Sequence, residues 1–167
     1  MNKKGHVLNA VLLSLGLGVL LAPAESFEVA EILEMVEMIV AIGVPVTLGA
    51  LFPDVDTAFG KHRKTLHNLP VLVGFLAFPY VFGNLEYVWI GVLTHYVLDV
   101  AGSKRGIALF YPLRRQEYGL PTGVPVSSSR ATLVTVAVTI GELLLIGLVV
   151  YEVPQWGFEM GRQAIGL

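Results

Sequence analysis

The chain has 167 residues, of which 54% are hydrophobic and only 14% are Asp, Glu, Lys or Arg. That is too little charge to cover a soluble domain of this size, and the apolar residues come in unbroken runs, so the composition points to one membrane domain spanning residues 1–167. There is no cysteine, which excludes disulfides, thiolate metal sites and thiol nucleophiles, and the net charge of −2 says little until its distribution is examined.

Residues 7–24 are apolar apart from Asn9 and Ser14 and follow Lys3 and Lys4. They fit a first span, and they also fit a signal peptide with Ala22-Pro23-Ala24 as its cleavage site. His6 matches the other histidines in lying at the edge of an apolar run, which favours the retained span. Glu25, Glu28, Glu31, Glu34 and Glu37 recur every third residue, the pattern of a solvated lead-in helix over 25–37 or of an ion-binding stripe. A second span is expected at 35–52, kinked at Pro45 and closed by Pro53.

Between residues 69 and 101 the only ionisable groups are Glu86, His95 and Asp99, apart from tyrosines. One helix over that stretch would be roughly 50 Å long against a hydrocarbon core of about 30 Å. It must turn, and Gly83-Asn84 is the turn signal. A short third span over 69–82, tilted or re-entrant, and a fourth over 86–101 follow. Residues 102–130 form a basic polar loop, and residues 131–151 a fifth span with Glu142 at its middle. Glu142 is either protonated or hydrogen-bonded to a neighbouring helix, or it is functional.

With five spans, residues 1–6, 53–68 and 102–130 share one side and hold ten of the eleven Lys and Arg residues. The positive-inside rule makes that side cytoplasmic, with the N-terminus in and the C-terminus out. The expected location is the inner, cytoplasmic membrane of the cell, as a multi-pass protein.

The assignment used only Lys and Arg, yet it gathers every His and Asp of the chain into one layer. His6 is at the end of the first span. Asp54, Asp56, His62 and His67 are in the loop 53–68, and His95 and Asp99 are at the end of the fourth span. His95 and Asp99 are four apart and share a helix face. Imidazole plus carboxylate is a ligand set for Zn or Mn, so all seven residues are candidate metal ligands for one or two divalent ions. A metal held there supplies an activated water and polarises a phosphoryl oxygen. Asp54, Asp56 and His67 are the candidate catalytic residues, an unligated Asp serving as general base. Arg63 and Lys64 are the candidate anion-binding pair, with Arg114 and Arg115 as second candidates.

Lys3-Lys4-Gly5-His6, Gly49 through Pro53-Asp54-Val55-Asp56, His62-Arg63, His67 and His95-x-x-x-Asp99 occur in that order, followed by Gly102 and Tyr111-Pro112. In this combination, over roughly residues 1–115, the chain resembles the YdjM family of inner-membrane-associated metal-dependent hydrolases, a group with LexA-binding or LexA-regulated members. Leu66-His67-Asn68 stands where that family usually has Thr-His-Ser. The family is often read with four spans, which makes the fifth an addition. It is distantly similar to zinc-dependent phospholipases C and single-strand nucleases, which implies phosphodiester chemistry.

The expectation is an all-α integral membrane bundle of about five helices with a cytoplasmic His/Asp cluster. Its function would be hydrolysis of a phosphodiester or phospholipid-type ester at the membrane surface by metal-activated water. The bilayer and such a substrate are the expected partners, and no specific nucleic-acid binding is expected. The alternatives are a membrane metal-binding or transport protein using the same ligands, and an adaptor whose basic loops dock a partner. A transporter should carry its ligands near the bilayer midplane, where only Glu142 lies.

Overall fold

The computed structural model describes residues 1–24, 26 and 28–164, and its described residues form six α-helices and no extended strand. Helix α1 spans Lys3–Leu21, α2 Val29–Leu51, α3 Leu69–Phe82, α4 Val88–Gly102, α5 Ala131–Val150 and α6 Val153–Ala164. A 3-10 turn at Pro53–Ala58 follows α2.

Local chemistry sets the helix ends. The Asn2 side chain accepts from the Gly5 N–H at 2.8 Å and starts α1. Asn68 does the same for α3, accepting from the Val71 N–H at 3.1 Å, with Pro70 in the first turn. Gly83, at φ 67°, ends α3 in the left-handed region that a residue with a Cβ enters at a cost. The turn expected at Gly83-Asn84 is therefore present.

The second apolar element differs from expectation. A lead-in helix was expected ahead of a span at 35–52, whereas Val29–Leu51 is one helix that runs through Pro45. Glu31 sits in its first turn and accepts from the Ser26 N–H and hydroxyl at 2.8 and 2.7 Å. A carboxylate there complements the helix dipole, so part of the glutamate row belongs to the helix start itself. Glu25 lies outside the described residues.

Three helices are long and apolar enough to cross a membrane: α1, α2 with its following turn, and α5. Helices α3 and α4 have 14 and 15 residues, roughly 21–22 Å of rise, and fall short of a hydrocarbon core of about 30 Å. Helix α6 follows α5 after a short turn in which Glu152 has φ 52°.

Helices α1, α2, α4 and α5 pack together, and α3 leans on α4. Ala10, Leu13 and Leu17 of α1 meet Ile42, Val46 and Ala50 of α2 in the main core. Helix α2 crosses α4 backbone against backbone. A Cβ on Gly91 would lie 2.0 Å from the Val46 carbonyl, and one on Gly49 would lie 2.1 Å from the Val88 carbonyl. Two glycines facing each other remove the side chains that would hold these helices apart. By contrast α3 buries none of its residues, and α5 buries only Thr135 and Thr139.

The stretch after α4 is more ordered than a polar loop. Ile107 and Tyr118 exchange backbone hydrogen bonds at 3.0 and 2.8 Å, and Ile107 and Ala108 are fully buried. The Ala108 N–H donates to the Arg63 carbonyl at 2.9 Å, and the Leu69 N–H to the Leu109 carbonyl at 2.8 Å. This segment thus clasps the loop between α2 and α3 at the end of the bundle.

Candidate metal centre

At that end, the start of α1, the turn after α2, the loop before α3 and the last turns of α4 meet. All four histidines and all three aspartates are there, and six of the seven are buried, with His62 half-exposed. Two groups have ligand atoms close enough to share an ion: His6, His95 and Asp99, and Asp54, His62 and His67.

The hydrogen bonds fix which imidazole nitrogens are free. His95 Nδ1 lies 2.6 Å from the Ala50 carbonyl, which only accepts, so Nδ1 carries the proton. The close α2–α4 crossing at Gly49 and Gly91 brings that carbonyl within reach. His67 Nδ1 lies 3.0 Å from Asp56 Oδ2 and likewise donates. Burial holds the His67 imidazole well below its ordinary pKa, although Asp56 pulls the other way. Both Nε2 atoms therefore present lone pairs, and they face each other at 3.1 Å. Two lone pairs at that separation repel unless a cation lies beside them.

Two carboxylates complete the arrangement. Asp54 Oδ1 is 3.8 Å from His67 Nε2 and 3.8 Å from His95 Nε2. Asp99 Oδ2 is also 3.8 Å from each of them. Ligands about 2.1 Å from a tetrahedral ion are separated by about 3.4 Å. The five separations measured here, 3.1 to 3.8 Å, bracket that value, so these donors could hold a metal ion.

His6 adds a second indication. Its ring stacks on His95 at 3.7 Å with a 7° tilt, and its Nε2 is 3.5 Å from Asp99 Oδ1. The side chain is buried, and neither nitrogen has a hydrogen-bond partner among the described residues. An unpartnered buried imidazole is costly, and a cation shared with Asp99 would relieve it. Asp99 thus turns one oxygen to His67 and His95 and the other to the Met1 amine, His6 and Arg63.

The remaining residues support this set. Asp56 is fully buried, accepts from His67 through Oδ2, and takes His62 Nδ1 at 3.0 Å on Oδ1. It stands behind the two imidazoles and lies outside both candidate ion groups. Tyr96, beside His95, donates its hydroxyl to the Leu66 carbonyl at 2.5 Å and accepts from the Asn68 N–H at 3.2 Å, tying the His67 loop to α4. Nothing in the sequence pattern singled out Tyr96. The Asn68 amide donates to the Lys64 and Thr65 carbonyls at 2.8 and 2.9 Å, so the amide in place of a serine hydroxyl braces the loop.

Arg63 and Lys64 face different surroundings from an open anion site. Arg63 is buried, and its guanidinium donates to the Ser103 hydroxyl at 2.9 Å and to the Arg105 and Gly106 carbonyls. Its other amine is 3.7 Å from Asp99 Oδ1. Lys64 pairs with Glu117 at 3.3 Å, and Arg105 forks onto the same carboxylate at 2.6 Å. The Arg105 hydrogen bonds hold the Glu117 carboxyl at about 2, well below the usual carboxylate value.

The family model for the YdjM inner membrane protein matches residues 1–161. The chain belongs to the YdjM inner membrane protein family. No curated protein and no solved structure matches it. The match corrects the extent read from motifs alone, which stopped near residue 115: α5 and most of α6 lie inside the family's sequence and are not additions to it.

Proposed function

We propose that this YdjM-family protein is a metal-dependent hydrolase that cleaves an ester, of the phosphodiester or phospholipid type, at the cytoplasmic surface of the membrane. The observation that carries the reading is the pair of opposed Nε2 lone pairs of His67 and His95, 3.1 Å apart and flanked by Asp54 and Asp99. These four residues would hold the first ion, and His6 with the second oxygen of Asp99 offers a place for another. Such an ion supplies Lewis acidity and a water activated at neutral pH. Asp56 fixes the tautomer of His67, as a carboxylate behind a ligating histidine commonly does. His62 is half-exposed and bonded through Nδ1 to Asp56, leaving Nε2 to take a proton or join the ion. Arg63 balances Asp99 from inside, and Lys64, held by Glu117, would have to exchange that partner to meet a substrate anion.

The orientation belongs to the same proposal. The end that carries the His/Asp set also carries ten of the eleven basic residues, which supports a cytoplasmic orientation for it.

The test is hydrolysis of a chromogenic phosphodiester and of short-chain phospholipids by the detergent-purified protein loaded with Zn or Mn. Turnover that is lost in both His67→Ala and Asp54→Ala is expected. Wild-type rates no higher than those of His67→Ala on every substrate would contradict the proposal.

A further inference from the structure

A second polar group, with Asn9, Thr94 and Thr139 buried and Glu142 half-buried, lies deeper in the bundle and takes no part in the metal centre. Asn9 of α1, Thr94 of α4, and Thr139 and Glu142 of α5 form one hydrogen-bonded circuit. Asn9 Nδ2 lies 3.0 Å from Thr139 Oγ1 and 2.9 Å from Glu142 Oε2. Thr94 Oγ1 lies 2.6 Å from Glu142 Oε1 and also contacts Asn9 Oδ1. Thr139 donates its hydroxyl hydrogen to the Thr135 carbonyl at 2.9 Å, within its own helix.

Counting hydrogens decides the state of the acid. The hydroxyl of Thr94 has one hydrogen and two acceptors beside it. If that hydrogen goes to Asn9 Oδ1, Thr94 Oγ1 and Glu142 Oε1 face each other as acceptors, and Glu142 must supply a proton. If the Asn9 amide is turned over, its nitrogen donates to Thr94 and Thr94 donates to Glu142 Oε1. The amide oxygen then faces both Glu142 Oε2 at 2.9 Å and Thr139 Oγ1 at 3.0 Å, and since the Thr139 hydrogen goes to Thr135, two hydrogens are missing, of which Glu142 can supply one. With the Asn9 nitrogen facing Glu142, the circuit is one hydrogen short with an ionised Glu142 and complete with a neutral one, and turning the amide over only leaves it a further hydrogen short at Thr139.

The surroundings agree. No Lys, Arg or His forms an ion pair with Glu142 among the described residues. The nearest titratable groups along the chain on the facing helices are His6, three residues before Asn9, and His95, next to Thr94. Glu142 is eleven residues past the first residue of α5, roughly 17 Å along that helix and well inside a bilayer. An uncompensated carboxylate there is expensive.

We propose that Glu142 is a proton-binding site: at neutral pH it is a carboxylic acid whose hydrogen closes the circuit and ties α5 to α1 and α4, the helices that carry His6 and His95. The ligand is a proton. A small monovalent cation such as sodium, held by the same oxygens, is the competing occupant that the test must separate.

The experiment is infrared spectroscopy of the detergent-purified full chain at pH 7 in H2O and D2O, for wild type and Glu142→Gln. A protonated-carboxyl stretch is expected in wild type, shifted in D2O and lost in Glu142→Gln. The glutamine supplies both a donor and an acceptor, so the variant should melt within about 2 °C of wild type, whereas Glu142→Ala should melt roughly 5 °C lower. The proposal is overturned by a carboxylate signature in place of the acid band, by saturable 22Na binding that Glu142→Gln abolishes, or by failure of Glu142→Gln to fold.

Discussion

The two ends of this bundle are built on opposite terms. Around His67, His95 and Asp99, polar groups are fully buried, helix backbones touch at Gly49 and Gly91, and the segment after α4 closes over the loop before α3. Towards the other end and along the flanks, α3 buries no residue and α5 shows the surroundings side chains such as Leu144, 65% exposed. Those exposed faces suit lipid, which asks only for apolar surface. The buried end suits an ion, which asks for fixed donors at fixed separations. The difference shows where the chain tolerates change: its constraints concentrate in the few residues that set the site.

The largest effect is expected where the tight end depends on two helices touching. Gly91→Val places a side chain against the α2 backbone, which cannot move aside without shifting Ala50 and with it His95. A loss of about 3 kcal/mol or more is expected, read as a collapse of thermal stability in detergent. A melting curve like that of wild type would show that the crossing does not set the site.

Next is Asp56→Asn, which keeps the shape and removes the charge behind His67 and His62. Metal affinity should fall about 10- to 100-fold with little change in melting temperature, measured by competition with a chelating dye. Arg63→Lys should cost about 1–3 kcal/mol, because the Arg105 and Gly106 carbonyls lose their shared donor. If Arg63→Lys instead left stability unchanged and raised only the substrate concentration needed for turnover, the guanidinium would belong to the substrate.

How much of this could be read from residue order depends on which physical signal carried it. The gathering of His6, His62, His67, His95 and the three aspartates was legible, because these residue types are scarce here and all lie at the edges of apolar runs. The turn at Gly83 was legible from local backbone chemistry. The inward turn of Arg63 was not. Its backbone has φ 67°, and its partners are carbonyls forty residues away, which no local pattern encodes. The continuity of α2 from Val29 was hidden because glutamates read as solvated, although in the first turn of a helix they are favourable. The order in residues 103–124 comes from single backbone bridges to distant residues, below the reach of periodicity.

A smaller effect is expected from Glu117→Gln, whose carboxylate braces Lys64 and Arg105. Its folded-state value, about 2, lies below the ordinary value of 4.5, so its contribution is present above pH 4.5 and is lost as pH falls through 2. The gap in melting temperature between wild type and Glu117→Gln should therefore be constant near neutrality and shrink on acidification below pH 4.5. The smallest effect is expected from Leu144→Ala on the exposed face of α5, within about 0.5 kcal/mol of wild type.

The most direct test is the metal content of the detergent-purified protein by elemental analysis, beside the double variant His95→Ala/Asp99→Ala. One or two equivalents of Zn or Mn, retained through mild washing and lost in the double variant, is the predicted result. A wild-type protein that stays metal-free after incubation with excess ion, or a double variant that keeps its full complement, would contradict the account.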